Sequence, residues 1–136
     1  MLRGLDYSEI GVHDWYVYAL ARSIGLTWVI GEEPTLEYRQ HGGNVQGANS
    51  GSGARDARLA KLRNGFYRNQ FILTARAAQK VGTFDERRAR QLRAILHELE
   101  GQGVALRLRF ALRWTQIRRD RVEGLKLAGA RVLGVW

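Results

Sequence analysis

The spacing of apolar and polar residues predicts a helix near the start of the chain. Between residues 14 and 23, Trp15, Tyr18 and Ala19 recur at three- and four-residue intervals, which is typical of an amphipathic helix. Gly25 follows at the position where a glycine commonly ends a helix. We therefore predict one helix over residues 14–23.

Two short segments after this helix have the composition of β-strands. Residues 26–30 are apolar, β-branched and aromatic. Residues 35–39 alternate, with Leu36 and Tyr38 on one face and polar side chains on the other. We predict a strand in each segment, joined by a turn at Glu33 and Pro34. The chain offers these strands few partners, and exposed strand edges favour self-association.

Residues 41–53 form a predicted loop rich in glycine, asparagine and serine. The rest of the chain, after this loop, has a helical pattern. Apolar spacing predicts a long helix that ends near Gly82. A capping box of Thr83 and Glu86 precedes a helix with an apolar stripe formed by Leu92, Ile95, Leu96 and Leu99. Residues 104–121 mix apolar side chains with arginine; their first part also alternates with period two, but we favour a helix.

These elements predict an α/β fragment with a mainly α-helical tail. Residues 1–53 hold one helix, two short strands and the glycine-rich loop, and residues 54–136 form the helical tail. Because two short strands do not complete a sheet domain, we expect either a small hairpin on the helices or the back part of a larger α/β domain.

Charge divides the chain at the same place. Residues 1–53 carry three basic and six acidic side chains, whereas residues 54–136 carry nineteen basic and seven acidic ones. The basic tail favours an anionic partner, either an anionic membrane surface or nucleic acid, although a charge-rich helix face is often merely solvated. The absence of cysteine excludes disulfides, cysteine-based zinc sites and thiol catalysis.

Candidate chemistry concentrates in two short segments. In the first, His13, Asp14 and Trp15 open the predicted helix; Asp14 suits either a carboxylate favoured by the helix dipole or a general base beside the aromatic ring of Trp15. In the second, Arg39 and His41 close the second predicted strand and precede the glycine loop. They suit either a phosphate site or an ordinary strand edge.

These two segments resemble the C-terminal part of family 2 glycosyltransferases. HDW at residues 13–15 and PTLEYRQHGGNVQGAN at residues 34–49 occur in the family's order and at about its spacing. The bacterial rhamnosyltransferase-like members, which build O-antigen and other cell-surface polysaccharides, are the most similar. The resemblance covers about residues 11–50, and the basic tail is similar only in character.

The resemblance implies a role for each of these residues. Asp14 matches the catalytic base of these inverting enzymes, and Trp15 and His13 would lie at the acceptor sugar. Three residues of the second segment would bind the donor diphosphate: Arg39, Gln40 and His41. His41 would also lie near a divalent cation, Mg²⁺ or Mn²⁺. The donor would be a nucleotide-sugar and the acceptor a glycan or polyprenyl-diphosphate-linked glycan.

The chain also departs from the family. A GT-A nucleotide-binding half with an Asp-x-Asp motif normally precedes these segments, but Asp-x-Asp is absent here. We therefore expect a C-terminal portion that does not transfer sugar by itself, located in the cytoplasm at the periphery of the inner membrane. The alternative is a basic helical binding module without catalysis. Nucleic acid is the less favoured partner for it, because Phe66, Phe71 and Trp114 fall on apolar stripes and not among the arginines.

Overall fold

The computed structural model describes residues 8–29, 31, 33, 52–117 and 120–136. Within these ranges the chain forms helices joined by short connections. The helices are α1 (His13–Ser23), α2 (Ser52–Arg63), α3 (Phe66–Val81), α4 (Glu86–Glu100), α5 (Val104–Ala111), α6 (Trp114–Ile117) and α7 (Arg121–Val132).

The predicted α/β fold class is wrong, because no strand occurs in the described residues. Leu26 to Val29 has no regular secondary structure, although its composition is that of a strand. A strand requires a neighbour for its backbone groups, and here the Leu26 N–H instead donates to the Ala21 carbonyl at the end of α1 (2.9 Å). The second predicted strand, residues 35–39, lies outside the described residues, as does the loop at 41–51.

The first hydrophobic core lies between α1 and α3. Tyr16 and Leu20 of α1 pack with Ile10 and with Ala77 of α3, and two partly buried residues of α3, Leu73 and Val81, complete the cluster. The buried face of α1 therefore follows positions 16, 20 and 23. The face predicted from Trp15, Tyr18 and Ala19 is a different one: Trp15 and Ala19 are half-buried, and Tyr18 is exposed.

One buried glutamine fixes the start of α1 on α3. Gln70 is 3% exposed; its Oε1 accepts a hydrogen bond from the Gly11 N–H (2.8 Å), and its Nε2 donates to the Glu9 carbonyl (3.0 Å). A Cβ at Gly11 would lie 2.7 Å from Cζ of Phe66, so a larger residue here would require the Phe66 ring or the start of α1 to shift. The position of the first turn of α1 is thus set by contacts made 59 and 61 residues away.

The second core joins α4, α5 and the segment after α7. Leu99, Phe110 and Trp136 are its buried centre. Arg131, which is completely buried, extends it: Nη1 donates to the main-chain oxygen of Trp136 (3.0 Å), and Nη2 lies near three carbonyls at the end of α4, those of Glu98 (2.9 Å), Leu99 (3.1 Å) and Gly101 (2.6 Å). Burial, and after it the charges of Arg68 and Arg107, lower the pKa of Arg131. Arg131 therefore acts as an internal cap for α4.

The helical tail differs from its prediction in two details. The long helix before Gly82 is broken at Gly65, which has φ +77° and separates α2 from α3. A left-handed conformation is accessible to glycine without steric penalty, and a continuous apolar stripe does not reveal it. The cap of α4 is Asp85, whose carboxylate accepts from the Arg88 N–H (2.7 Å), and not the predicted Thr83. The helical prediction for residues 104–121 is confirmed over the described residues, as separate helices α5 and α6.

The predicted division at residues 53 and 54 stays a prediction. Residues 8–29 pack on α3, which belongs to the other predicted unit. The strand edges on which the predicted self-association depends are missing from the described part of the chain. None of the helices described is both long and apolar enough to cross a membrane.

Candidate functional site

An open cleft of about 790 Å³ lies between α1 and α3. Five of its lining residues belong to α1, one follows α1, and two belong to α3: Asp14, Trp15, Tyr18, Ala19, Arg22, Trp28, Phe71 and Thr74. We call it the α1–α3 cleft. It combines a carboxylate and a guanidinium with a largely aromatic wall.

Helical spacing explains why α1 presents these side chains together. Asp14, Tyr18 and Arg22 are four residues apart, so they lie on one face of the helix one turn after another. Trp15 and Ala19 form the neighbouring row. With 1.5 Å of rise per residue, Asp14 and Arg22 are separated by about 12 Å along the helix axis. The Asp14 carboxylate and the Arg22 guanidinium therefore lie at opposite ends of the cleft wall that α1 forms.

Aromatic contacts hold the walls of the cleft. The rings of Trp15 and Phe71 stack, with centroids 5.1 Å apart and planes at 19°. Trp15 also meets Tyr67 of α3 at 6.0 Å. Tyr18, one turn further along α1, makes an edge-to-face pair with Trp28 at 5.3 Å and 86°. Aromatic pairs of these geometries are favourable. Trp28 and Tyr18 nevertheless stay 44% and 42% exposed, so much of their ring surface faces solvent.

The two charged groups of the cleft have few partners within the protein. Asp14 lies in the first turn of α1, is exposed, and makes no hydrogen bond or ion pair with another described residue. Val12 is the cap residue, and no side chain caps the helix. Arg22 donates through Nη1 to the Leu26 carbonyl at 3.3 Å, and no ion pair joins it to a described carboxylate. Both groups are free to contact a ligand.

The structure brings together two of the predicted site residues. Asp14 and Trp15 line the cleft, whereas His13, the first residue of α1, is exposed and is not part of the lining. The predicted donor-binding residues, Arg39, Gln40 and His41, lie outside the described residues. Nowhere in the described chain do three His, Asp or Glu side chains come close enough to hold a metal ion.

Several lining residues were not predicted from sequence. Tyr18 and Arg22 lie on the predicted helix but have no predicted role, and Trp28 lies in a predicted strand. The four-residue spacing of Asp14, Tyr18 and Arg22 is a signal that could have identified this face of the helix. Phe71 and Thr74 lie more than 50 positions away from Asp14 and come near it only because α1 packs on α3.

Comparison with known proteins gives one informative match. The chain is 30% identical over 128 residues to the dTDP-rhamnosyl transferase RfbG of Shigella flexneri, and the match covers 94% of this chain. It spans 40% of that curated protein's length. No protein-family model matches the chain, and no solved structure gives a significant match. The similarity supports the predicted resemblance to a glycosyltransferase of the rhamnosyl-transferring kind, whereas membership of family 2 stays a prediction.

Proposed function

We propose that this chain is the acceptor-binding portion of an inverting family 2 glycosyltransferase. The complete enzyme would transfer a sugar, in our proposal rhamnose, from a nucleotide-sugar to a glycan or polyprenyl-diphosphate-linked glycan. It would act in the synthesis of O-antigen or another bacterial cell-surface polysaccharide, at the cytoplasmic face of the inner membrane. The similarity to a dTDP-rhamnosyl transferase along 94% of this chain supports the class of reaction.

One observation carries the proposal for the site: Asp14 and Trp15 line the same cleft. The C–H groups on one face of a pyranose are apolar and pack well on an indole or phenyl face, while its hydroxyls require polar partners. The cleft offers both kinds of contact, because the exposed surfaces of Tyr18 and Trp28 lie among the side chains of Asp14, Arg22 and Thr74. A saccharide therefore suits this cleft better than a wholly apolar ligand.

The proposed chemistry requires one carboxylate. Asp14 accepts the proton of the acceptor hydroxyl as that oxygen forms a bond to the anomeric carbon of the donor sugar. The bond from the anomeric carbon to the nucleoside diphosphate breaks on the opposite face, and the diphosphate leaves with the electron pair, which inverts the configuration. A positioned base of this kind contributes about 10²–10⁴-fold to the rate. The exposed, unpartnered state of Asp14 suits a group that must reach a substrate hydroxyl.

The donor side of the reaction rests on the sequence resemblance alone. We propose that Arg39, Gln40 and His41 contact the diphosphate, because an arginine fork and glycine-rich backbone suit phosphate oxygens. A divalent cation, Mg²⁺ or Mn²⁺, would neutralise the leaving diphosphate in the complete enzyme. These assignments concern residues outside the described ranges.

The acceptor site can be tested by titrating the chain with methyl α-rhamnopyranoside and following the indole N–H signals by NMR. We expect the signals of Trp15 and Trp28 to shift together, and the shifts to disappear in Trp15→Ala. Trp114→Ala is the matched control, since Trp114 lies on α6 outside the cleft lining. Shifts that survive Trp15→Ala unchanged, or that affect all four tryptophans equally, would contradict the assignment of the cleft.

A further inference from the structure

A second, smaller cavity of about 150 Å³ lies where the break between α2 and α3 meets the segment after α7. Its lining comes from three separate parts of the chain: Arg63, Asn64, Gly65, Arg68, Gln102, Gly134, Val135 and Trp136. We call it the arginine pocket. It shares no lining residue with the α1–α3 cleft, so the two are separate sites.

Three guanidinium groups lie at this pocket. Those of Arg63 and Arg68 belong to its lining. The third belongs to Arg107 of α5 and lies against the pocket wall, because a Cβ on Gly134 would be only 2.5 Å from its Nη1. The charges of Arg68 and Arg107 both lower the pKa of the buried Arg131, so both lie close to the same point of the structure. Positive charge is therefore concentrated at this end of the molecule.

No carboxylate in the described part of the chain balances this charge. None of the ion pairs formed there includes Arg63, Arg68 or Arg107. The partner of Arg68 is neutral: the amide of Gln102 is oriented so that its oxygen accepts from Nη1 (2.9 Å) and Nη2 (3.0 Å), because the reverse orientation would point its own N–H groups at these donors. The Nε of Arg107 is buried and has no hydrogen-bond partner among the described residues. A buried donor without an acceptor is costly, as are like charges held together.

We propose that the arginine pocket binds a phosphate or diphosphate group. The planar guanidinium donates two parallel hydrogen bonds to phosphate oxygens, and several such groups together favour an anion with more than one negative charge. The size of the pocket agrees with this ligand. Pockets for drug-sized molecules have volumes of about 300–1,000 Å³, whereas 150 Å³ suits one or two phosphate groups, with the rest of the ligand outside. Arg63 and Gln102, which are both exposed, leave the pocket open on the solvent side.

The same diphosphate group occurs in inorganic pyrophosphate, in nucleotides and in isoprenoid carriers. The pocket chemistry is common to all three sources, so ligands that share the diphosphate and differ in the attached group distinguish them. Binding can be measured without sugar transfer. Because the pocket and the cleft have no residue in common, failure of this proposal would not imply failure of the proposed saccharide site.

The test is titration calorimetry of the chain with inorganic pyrophosphate, dTDP and geranyl diphosphate. We expect pyrophosphate to bind and to raise the melting temperature, since a ligand of the folded state stabilises it. Equal affinity for all three ligands would identify the diphosphate alone as the group recognised. Tighter binding of dTDP would identify a nucleotide as the source, and tighter binding of geranyl diphosphate an isoprenoid carrier; each of these results supports the pocket.

Arginine variants separate the pocket from the overall positive charge. We expect Arg68→Gln/Arg107→Gln to lower the affinity for pyrophosphate by roughly tenfold or more, because it removes two charged donors from the ligand. Arg87→Gln/Arg93→Gln is the matched control: it removes the same charge from exposed positions on α4 and should change the affinity by less than about twofold. Arg63→Gln, at an exposed position of the lining, should lower it about two- to fivefold with little risk to the fold. Circular dichroism of all variants checks that the helices are intact.

Three results would overturn the assignment of the pocket. The first is no binding of pyrophosphate to the parent chain at millimolar concentration. The second is an equal loss of affinity in Arg68→Gln/Arg107→Gln and in the α4 control, which would indicate that only the overall charge matters. The third is unchanged affinity in both Arg63→Gln and Arg68→Gln/Arg107→Gln, which would place the anion elsewhere on the protein.

Discussion

The two hydrophobic cores of this protein use the same kinds of residue in opposite ways. At the α4–α7 end, Arg131 is completely buried and its guanidinium contacts backbone carbonyls at the end of α4. At the α1–α3 end, Arg22 is exposed and donates to a single carbonyl at 3.3 Å. The first arginine stabilises the fold, whereas the second still has most of its donors available.

Carboxylates and tryptophans show the same contrast. Glu98 is 5% exposed and accepts from Nε and Nη2 of Arg113 at 2.7 and 2.9 Å, an interaction that raises the pKa of Arg113. Asp14 is exposed and has no partner among the described residues. Trp136 is buried in the second core, whereas Trp28 stays 44% exposed at the cleft. Residues of the same type therefore differ between the two regions in how many of their contacts are already satisfied within the protein.

Neutralising Asp14 and Glu98, each in its own variant, should give the largest difference between the α1–α3 end and the α4–α7 end. The first variant should lose activity and the second should lose stability. In the complete enzyme, Asp14→Asn should lower the rate of sugar transfer by about 10²–10⁴-fold, because the amide cannot accept the acceptor proton. Acceptor binding and the free energy of unfolding should change little, since Asp14 has no partner in the described structure. Steady-state transfer from dTDP-rhamnose and a urea melt measure both quantities.

Glu98→Gln provides the reverse case. It weakens a largely buried ion pair, and we expect the free energy of unfolding to fall by about 2–3 kcal/mol. Asp56→Asn, which neutralises an exposed carboxylate on α2, is the neutral control for both variants. Full transfer activity in Asp14→Asn would remove this residue from the mechanism.

The two arginines give the next largest difference. Arg131→Met should lower the free energy of unfolding by about 3 kcal/mol, because it leaves buried carbonyls at the end of α4 without a donor. Arg22→Met should change it by less than about 0.5 kcal/mol, since Arg22 is exposed and makes one long hydrogen bond. Urea melts of the two variants would contradict the comparison if they showed equal losses.

The smallest predicted effect concerns the placement of the cleft. Gly11→Ala adds a Cβ that would lie 2.7 Å from the Phe66 ring, and we expect a loss of about 1–2 kcal/mol with weaker saccharide binding. Gly129→Ala is the control, because a Cβ there meets nothing within 4 Å. Since alanine is the better helix former, that variant should gain about 0.5–1 kcal/mol. Thermal melts and the rhamnoside titration measure the two effects; unchanged stability in Gly11→Ala would show that α1 can move off α3 at little cost.

Local patterns predicted the helices well. The stripe of Leu92, Leu96 and Leu99 identified α4, because a helix that buries one face must repeat its apolar residues every three or four positions. Composition gave the wrong prediction at Leu26 to Val29, where β-branched and aromatic residues predicted a strand. Strand propensity reflects packing beside another strand, and here Trp28 packs on Tyr18 of α1 instead.

The candidate site could be predicted only in part. The HDW segment pointed to Asp14 and Trp15, and both line the cleft. The opposite wall could not be predicted, because Phe71 reaches Trp15 only through the packing of α1 on α3, which Gln70 and Gly11 secure. Long-range contacts of this kind leave no periodic signal in the sequence.

The most direct test of the central claim, that Asp14 and Trp15 form one saccharide site, is affinity labelling with an epoxyalkyl rhamnoside. A carboxylate oxygen beside a bound sugar opens the epoxide and forms an ester, and peptide mass spectrometry locates the modified residue. We predict labelling at Asp14, protection by free methyl rhamnoside, no labelling at residue 14 in Asp14→Asn, and strongly reduced labelling in Trp15→Ala. Equal labelling of the exposed carboxylates Glu9 and Asp56, or labelling of Asp14 without protection by the free sugar, would contradict the claim.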